Sequence, residues 1–128
     1  MLVNTPISLG ELVDKISILI VKQKNIKEEN KLIQVNKEYE FLQEVLIQHV
    51  TKQEIDIYLK ELIDINSKLW VIEDEIRNCE RKKKFDQIFI ELARSVYFTN
   101  DKRANIKLNI NKKFRSELVE VKSYEEYS

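Results

Sequence analysis

The sequence predicts an all-α protein: a coiled-coil-like helical hairpin or bundle of three longer helices, followed by two shorter C-terminal helices. Three observations carry this. The 128 residues include one Gly and one Pro, whereas sandwiches and barrels need turn residues every few positions. Capping signals open two long segments, and apolar residues recur at 3-4 spacing behind them. Hydrophobic residues at 43% and charged residues at 34% exclude disorder and suit amphipathic helices. The length suits one domain, expected over residues 1–122, with 123–128 a loosely held tail unless Tyr124 and Tyr127 dock.

Helix 1 opens with Ser8 and Glu11 as an S-x-x-E capping box, Ile7 and Leu12 acting as its staple. Leu9, Leu12, Ile16, Leu19, Gln23 and Ile26 continue the stripe to an end near Lys27. The polar run Lys27–Lys31 reads as a turn. No Gly or Pro enforces it, so one kinked helix and two separate helices both remain open. Helix 2 carries Leu32, Val35, Tyr39, Leu42, Leu46 and His49 on one seam. Thr51 and Glu54 form a second capping box and start helix 3. There, Ile55, Leu62, Leu69 and Ile76 lie seven apart, as do Tyr58, Ile65, Ile72 and Cys79. A further stripe runs through Ile63, Trp70 and Arg77. A helix apolar on two stripes packs on two sides, so a homodimer is the expected assembly.

Arg81–Lys84 reads as the next break. Helix 4 is expected from about Phe85 to Phe98, and helix 5 from about Asp101 to Lys113, capped by Thr99 or Asn100. The stretch Asn105–Asn111 also alternates strictly, a strand pattern that could pair with residues 118–122 as a hairpin. Helix is preferred, because Ala104, Leu108 and Asn111 then share one face.

Four segments, ISLGELVDKISIL (7–19), LWVIEDEIR (69–77), FDQIFIELARSVYFTNDKRANIKLNIN (85–111) and LVEVKSY (118–124), resemble a family of short bacterial and phage proteins of unknown function. The resemblance implies an all-helical protein and brings no activity, ligand or catalytic residue. This chain departs from the family pattern near Arg115, where that pattern has a Gly, and at Glu120-Val121-Lys122, where it has EEK.

Net charge is zero but unevenly spread. Residues 81–115 carry eleven Lys/Arg against three carboxylates, a local +8. Such a segment either neutralises itself against acidic neighbours or presents an anion-binding field. The candidate ligand-binding group is Arg94, Tyr97, Asn100, Asp101, Arg103, Lys107 and Asn111. On the expected geometry a new helix starts at Asn100–Asp101, where outward N–H groups favour anions. Two arginines beside it could hold a phosphate or carboxylate. Read structurally instead, Asp101 caps the helix and the arginines meet Glu73, Asp74 or Glu75 across the bundle, with Glu73, Asp74 and Arg77 as structural ion pairs.

Other chemistries find little support. Glu11 and Asp14 form an E-x-x-D pair of the kind that holds Mg²⁺, but the tandem spacing of such sites is absent. One Cys (Cys79) and one His (His49) cannot build a zinc site, so no metal and no cofactor is expected. Cys79 sits at a seam position and His49 on an apolar face, which reads as core for both. The basic turn 81–84 lacks a groove-reading motif, so nucleic acid is not the favoured partner. The apolar run Ile16–Val21 is too short for a membrane span or a signal core. A cytoplasmic protein without a membrane segment is expected. Two functions follow: a non-enzymatic interaction or scaffold protein with a protein partner, or a protein or enzyme for a nucleotide or sugar phosphate at the helix 4–helix 5 corner.

Overall fold

The computed structural model describes residues 1–121, 123 and 125. The tail expectation and the docking of Tyr124 and Tyr127 lie largely outside those residues, as does Lys122 of the alternative hairpin. Among the described residues the fold is all-α, with no strand and four helices: α1 (Leu9–Asn25), α2 (Glu29–Ile47), α3 (Lys52–Lys82) and α4 (Gln87–Lys113).

Ser8 opens α1, its hydroxyl accepting from the Glu11 amide at 3.1 Å. Glu11 does not complete the box; its carboxylate goes to Lys107 instead, at 2.8 Å. The helix ends where Ile26 turns extended, so α1 and α2 are separate elements. The second capping box forms in full: Thr51 accepts from the Glu54 amide, and Glu54 accepts from the Thr51 amide. Asp86, whose role the sequence did not announce, caps α4 by accepting from the amides of Ile88 and Phe89.

One correction reshapes the C-terminal half. The two short helices expected around Thr99–Asp101 are a single 27-residue helix. Thr, Asn and Asp cost a helix interior only about 0.5 kcal/mol each relative to Ala, and packing against two neighbours overrides that. The alternation over 105–111 is likewise helical, with Lys107, Ile110 and Asn111 buried at helical spacing. Both long helices end in a left-handed residue, Lys83 and Arg115, each with φ 53°. Ser116 donates back to the Asn111 carbonyl at 2.8 Å, closing the α4 terminus as a glycine-type cap. Arg115 thus takes a left-handed conformation that a glycine would hold without strain.

α1 is the central element, packing on all three other helices, while α3 and α4 pair along their lengths and α2 leans mainly on α1. Gly10, Glu11 and Asp14 meet Asn111, Lys107 and Arg103 in reverse order, so α1 runs antiparallel to α4. Leu12, Val13, Ile16, Leu46, Ile55, Leu62 and Ile110 form the core. The α3 seam is buried at Ile55, Leu62, Ile65 and Leu69. Farther along, Ile72, Ile76 and Cys79 are only half-buried, because α3 and α4 there have fewer neighbours to cover them. Trp70 is half-buried as well. His49 is exposed rather than part of the core.

The one glycine sits where α1 crosses α4. A Cβ on Gly10 would collide with the Lys107 backbone carbonyl and press on the Asn111 side chain. Gly10→Ala would ordinarily stabilise a helix by about 0.5–1 kcal/mol through propensity. Here it is expected to destabilise by about 1–3 kcal/mol through overpacking, measured by urea unfolding.

Candidate functional site

The polar side chains that the tertiary structure gathers lie on the α1–α4 crossing. On α1, Gly10, Asp14, Ser17 and Val21 share one stripe at 4-3-4 spacing, and all four are buried. Asp14 is completely buried. Its carboxylate accepts from Arg103 Nε at 2.9 and 3.1 Å and from Arg103 Nη2, a bidentate arrangement. Asn66 on α3 donates to Asp14 Oδ1 at 2.9 Å and to Ser17 Oγ at 2.7 Å. The Ser17 hydroxyl donates in turn to the Asp14 carbonyl at 2.6 Å. Every member is satisfied, which makes the cluster a tie between three helices. The hydrogen bond from Asp14 outweighs desolvation and raises the Arg103 pKa, so the guanidinium stays charged at any pH the fold survives.

One turn along, Lys107 is buried and pairs with Glu11 at 2.8 Å and Glu120 at 3.0 Å. Desolvation is the largest influence on its ammonium and pulls its pKa down. The hydrogen bonds from Glu11 and Glu120, helped by the charges of Glu11 and Asp14, outweigh it and raise the pKa overall. Asn111, also buried, accepts from the Gly10 amide at 2.7 Å, and Ser116 Oγ accepts from the Leu9 amide at 3.1 Å. The first amides of α1 are therefore consumed within the chain, and that helix start offers no free donors to an anion. The Asn111 Nδ2 is buried with no partner among the described residues.

The residues grouped by the sequence do not converge. Asn100 and Asp101 lie mid-helix, half-buried, and no helix begins there. Arg94 is exposed, its guanidinium 5.6 Å from the Phe98 ring centre, and Tyr97 stacks at 5.0 Å from that same ring. Arg94 stands nine residues before Arg103, about 13 Å along the axis. Arg103, Lys107 and Asn111 do share a stripe as expected, but they face Asp14, Glu11 and Gly10 on α1 rather than Glu73–Glu75 on α3. Arg77 pairs with Glu73 at 3.7 Å within α3, and Asp74 is exposed beside them. The E-x-x-D pair of α1 is neutralised by Lys107 and Arg103. Among the described residues no cluster of three or more His, Cys, Asp or Glu could hold a metal, and no helix is long and apolar enough to cross a membrane.

The sequence reading missed Gly10, Ser17 and Asn66 and did not join Asp14 to Arg103. A signal existed: small and acidic residues recurring at helical spacing inside the apolar run of α1.

A cleft of about 530 Å³ opens between the α1 start, the α2–α3 turn and the α4 end, with Pro6, Leu12, Val50 and Phe114 in its wall and His49 and Arg115 beside them. A shallower groove of about 630 Å³ follows the α3–α4 seam past Val71, Ile72, Phe98 and Lys102. It continues towards Glu61 and Ile106 at one end and is in line with a depression at Asn78 and Ile88 at the other.

A family model described as a family of unknown function (DUF6165) matches residues 3–127. No curated protein and no solved structure matches the chain.

Two outcomes test the crossing. Arg103→Ala leaves Asp14 buried and unpaired and is expected to cost about 3–5 kcal/mol in chemical denaturation, while the double change Asp14→Leu with Arg103→Met recovers most of it. Lys107 gives a pH signature. Because its pKa in the fold is raised above the ordinary 10.5, its stabilisation is complete below that value and is lost as pH rises through the higher folded value. Wild-type stability should therefore fall more steeply above 10.5 than that of Lys107→Met, read from unfolding curves across alkaline pH.

Proposed function

The chain belongs to the DUF6165 family, a family of unknown function, and from that premise we propose that it is a non-enzymatic helical interaction module that docks through the outer face of the α3–α4 hairpin. The observation that carries this reading is the exposure of apolar side chains along that face. Val71 is 54% exposed and Ile88 63%, with Phe98 also open; Val71 and Phe98 line the groove along the middle of the seam, and Ile88 lines a separate depression nearer the α3–α4 turn. Asn66 points from α3 towards α1, whereas Asp64, Lys68 and Val71 lie on the other side of the helix. Exposed apolar side chains set among charged ones are a usual form of a protein-docking surface.

Less supports the ligand reading at Arg94–Asn111. Arg103 and Lys107 carry the charge such a site would need, and both are neutralised by carboxylates of their own chain. We assign Arg103, Lys107 and Asn111 to holding α4 on α1, and Glu73 with Arg77 to the α3 surface.

A photo-crosslinking residue at position 71 tests the proposal in cells. It should yield a discrete higher-mass product, lost on adding Phe98→Glu, while the same residue at exposed Lys37 of α2 yields none. Absence of a product at 71, or equal products at both positions, overturns the reading. So does a rise in melting temperature with a nucleotide or sugar phosphate that Arg103→Lys removes.

A further inference from the structure

We infer that the occupant of this face is a second copy of the same chain, its α3 running antiparallel to the first about a two-fold axis between Val71 and Ile72. The inference rests on the docking reading above and adds the partner and its register.

The charge order along the outer stripe of α3 carries it. Ile57, Glu61, Asp64, Lys68, Val71, Glu75, Asn78 and Lys82 recur at alternating intervals of four and three, so they form one line down the helix, and all are exposed. Reversing that line about the point between Val71 and Ile72 sets Lys68 opposite Glu75 and Glu61 opposite Lys82. Both pairs obey the same register, and the two-fold makes each pair twice. Asp64 meets neutral Asn78 and Cys79, and Ile57 comes level with the turn that holds Phe85, two exposed apolar side chains. Parallel pairing would instead set each charge against its own copy, Lys68 on Lys68 and Glu75 on Glu75. A self-complementary patch of this kind is what an isologous interface requires.

The groove suits the same arrangement. Val71 stands at its rim beside Ile72, next to the axis, so each copy's Val71 enters the other's depression between α3 and α4. Lys68 pairs with Asp64, one helical turn away at 3.2 Å with both side chains exposed, a contact easily exchanged. The strip from Ile57 to Lys82 is about 38 Å long, and α4 widens it to about 20 Å, giving roughly 760 Å² per copy. A standard stable interface buries about 800 Å² per partner.

Sedimentation of the full chain tests it. The wild type should be dimeric at micromolar concentration. Lys68→Glu and Glu75→Lys should each weaken the dimer about tenfold or more, with circular dichroism unchanged because both positions are exposed. The double change Lys68→Glu with Glu75→Lys should restore it, since the pair is merely inverted. A Val71→Cys chain in a Cys79→Ser background should oxidise to a covalent dimer. A monomeric wild type, or a double variant no tighter than the singles, overturns the inference. The crosslink from position 71 separates this from the broader reading: a product at a mass other than twice the chain keeps the docking face and rejects the second copy, and no product rejects both.

Discussion

The structure depends on keeping an ionised carboxylate inside its central helix. α1 packs against all three other helices, leaving Lys15 and its last residues exposed, yet it carries Asp14 at full burial. A carboxylate without partners in that setting would be untenable. Arg103 answers it from α4 and Asn66 from α3, so one side chain sets the rotation and height of three helices together. A leucine in its place could settle in several registers; the fork of Arg103 around Asp14 admits one. Buried ion pairs of this type contribute little net stability compared with apolar packing, whereas removing one partner is costly. The close crossing at Gly10 and the Lys107 bridge repeat the same register one and two turns away, which explains why the single glycine is spent inside a helix.

The molecule divides accordingly. Near the crossing, the basic excess of α4 is drawn inwards by carboxylates of α1 and the C-terminal segment. Away from it, α3 and α4 have mainly each other, and their seam residues remain half-covered. The +8 segment is thus two things. Arg103 and Lys107 are structural cations, whereas Arg81–Lys84 stay at an exposed turn. Summed charge along the chain merges these roles, because Asp14 and Glu11, which meet Arg103 and Lys107, come from far earlier in the sequence, and Glu120 comes from beyond the helix.

Much of this was legible in the residues taken in order, and several parts were misplaced. Ser8 and Thr51 announced their helices, since a cap is a local hydrogen bond within three residues. The heptads of α3 announced a buried seam. The step at Thr99–Asp101 was misread because its residues are good cap formers. Whether they cap or continue a helix depends on what packs beside them. Arg103, Lys107 and Asn111 were recognised as one stripe, but the partners named for the arginines, Glu73–Glu75, were the wrong ones, since i, i+4 spacing defines a face and says nothing of what lies across from it. Asp14 was legible as part of an E-x-x-D pair, and Asn66 not at all, because an isolated Asn near a seam has no local signature.

By itself, then, the sequence determined the all-α class, the starts of α1 and α3, the separation of α2 from α3, and the family, all of which rest on periodicity, caps and segments contiguous in the chain. Only the tertiary structure decided that α4 is one helix, that α1 lies at the centre, and that the cations picked out as a binding group are held by Asp14, Glu11 and Glu120. The physical reason is that burial and charge compensation are relations between distant segments. A guanidinium can serve as a site or a strut, and what distinguishes them is the carboxylate that folding brings against it.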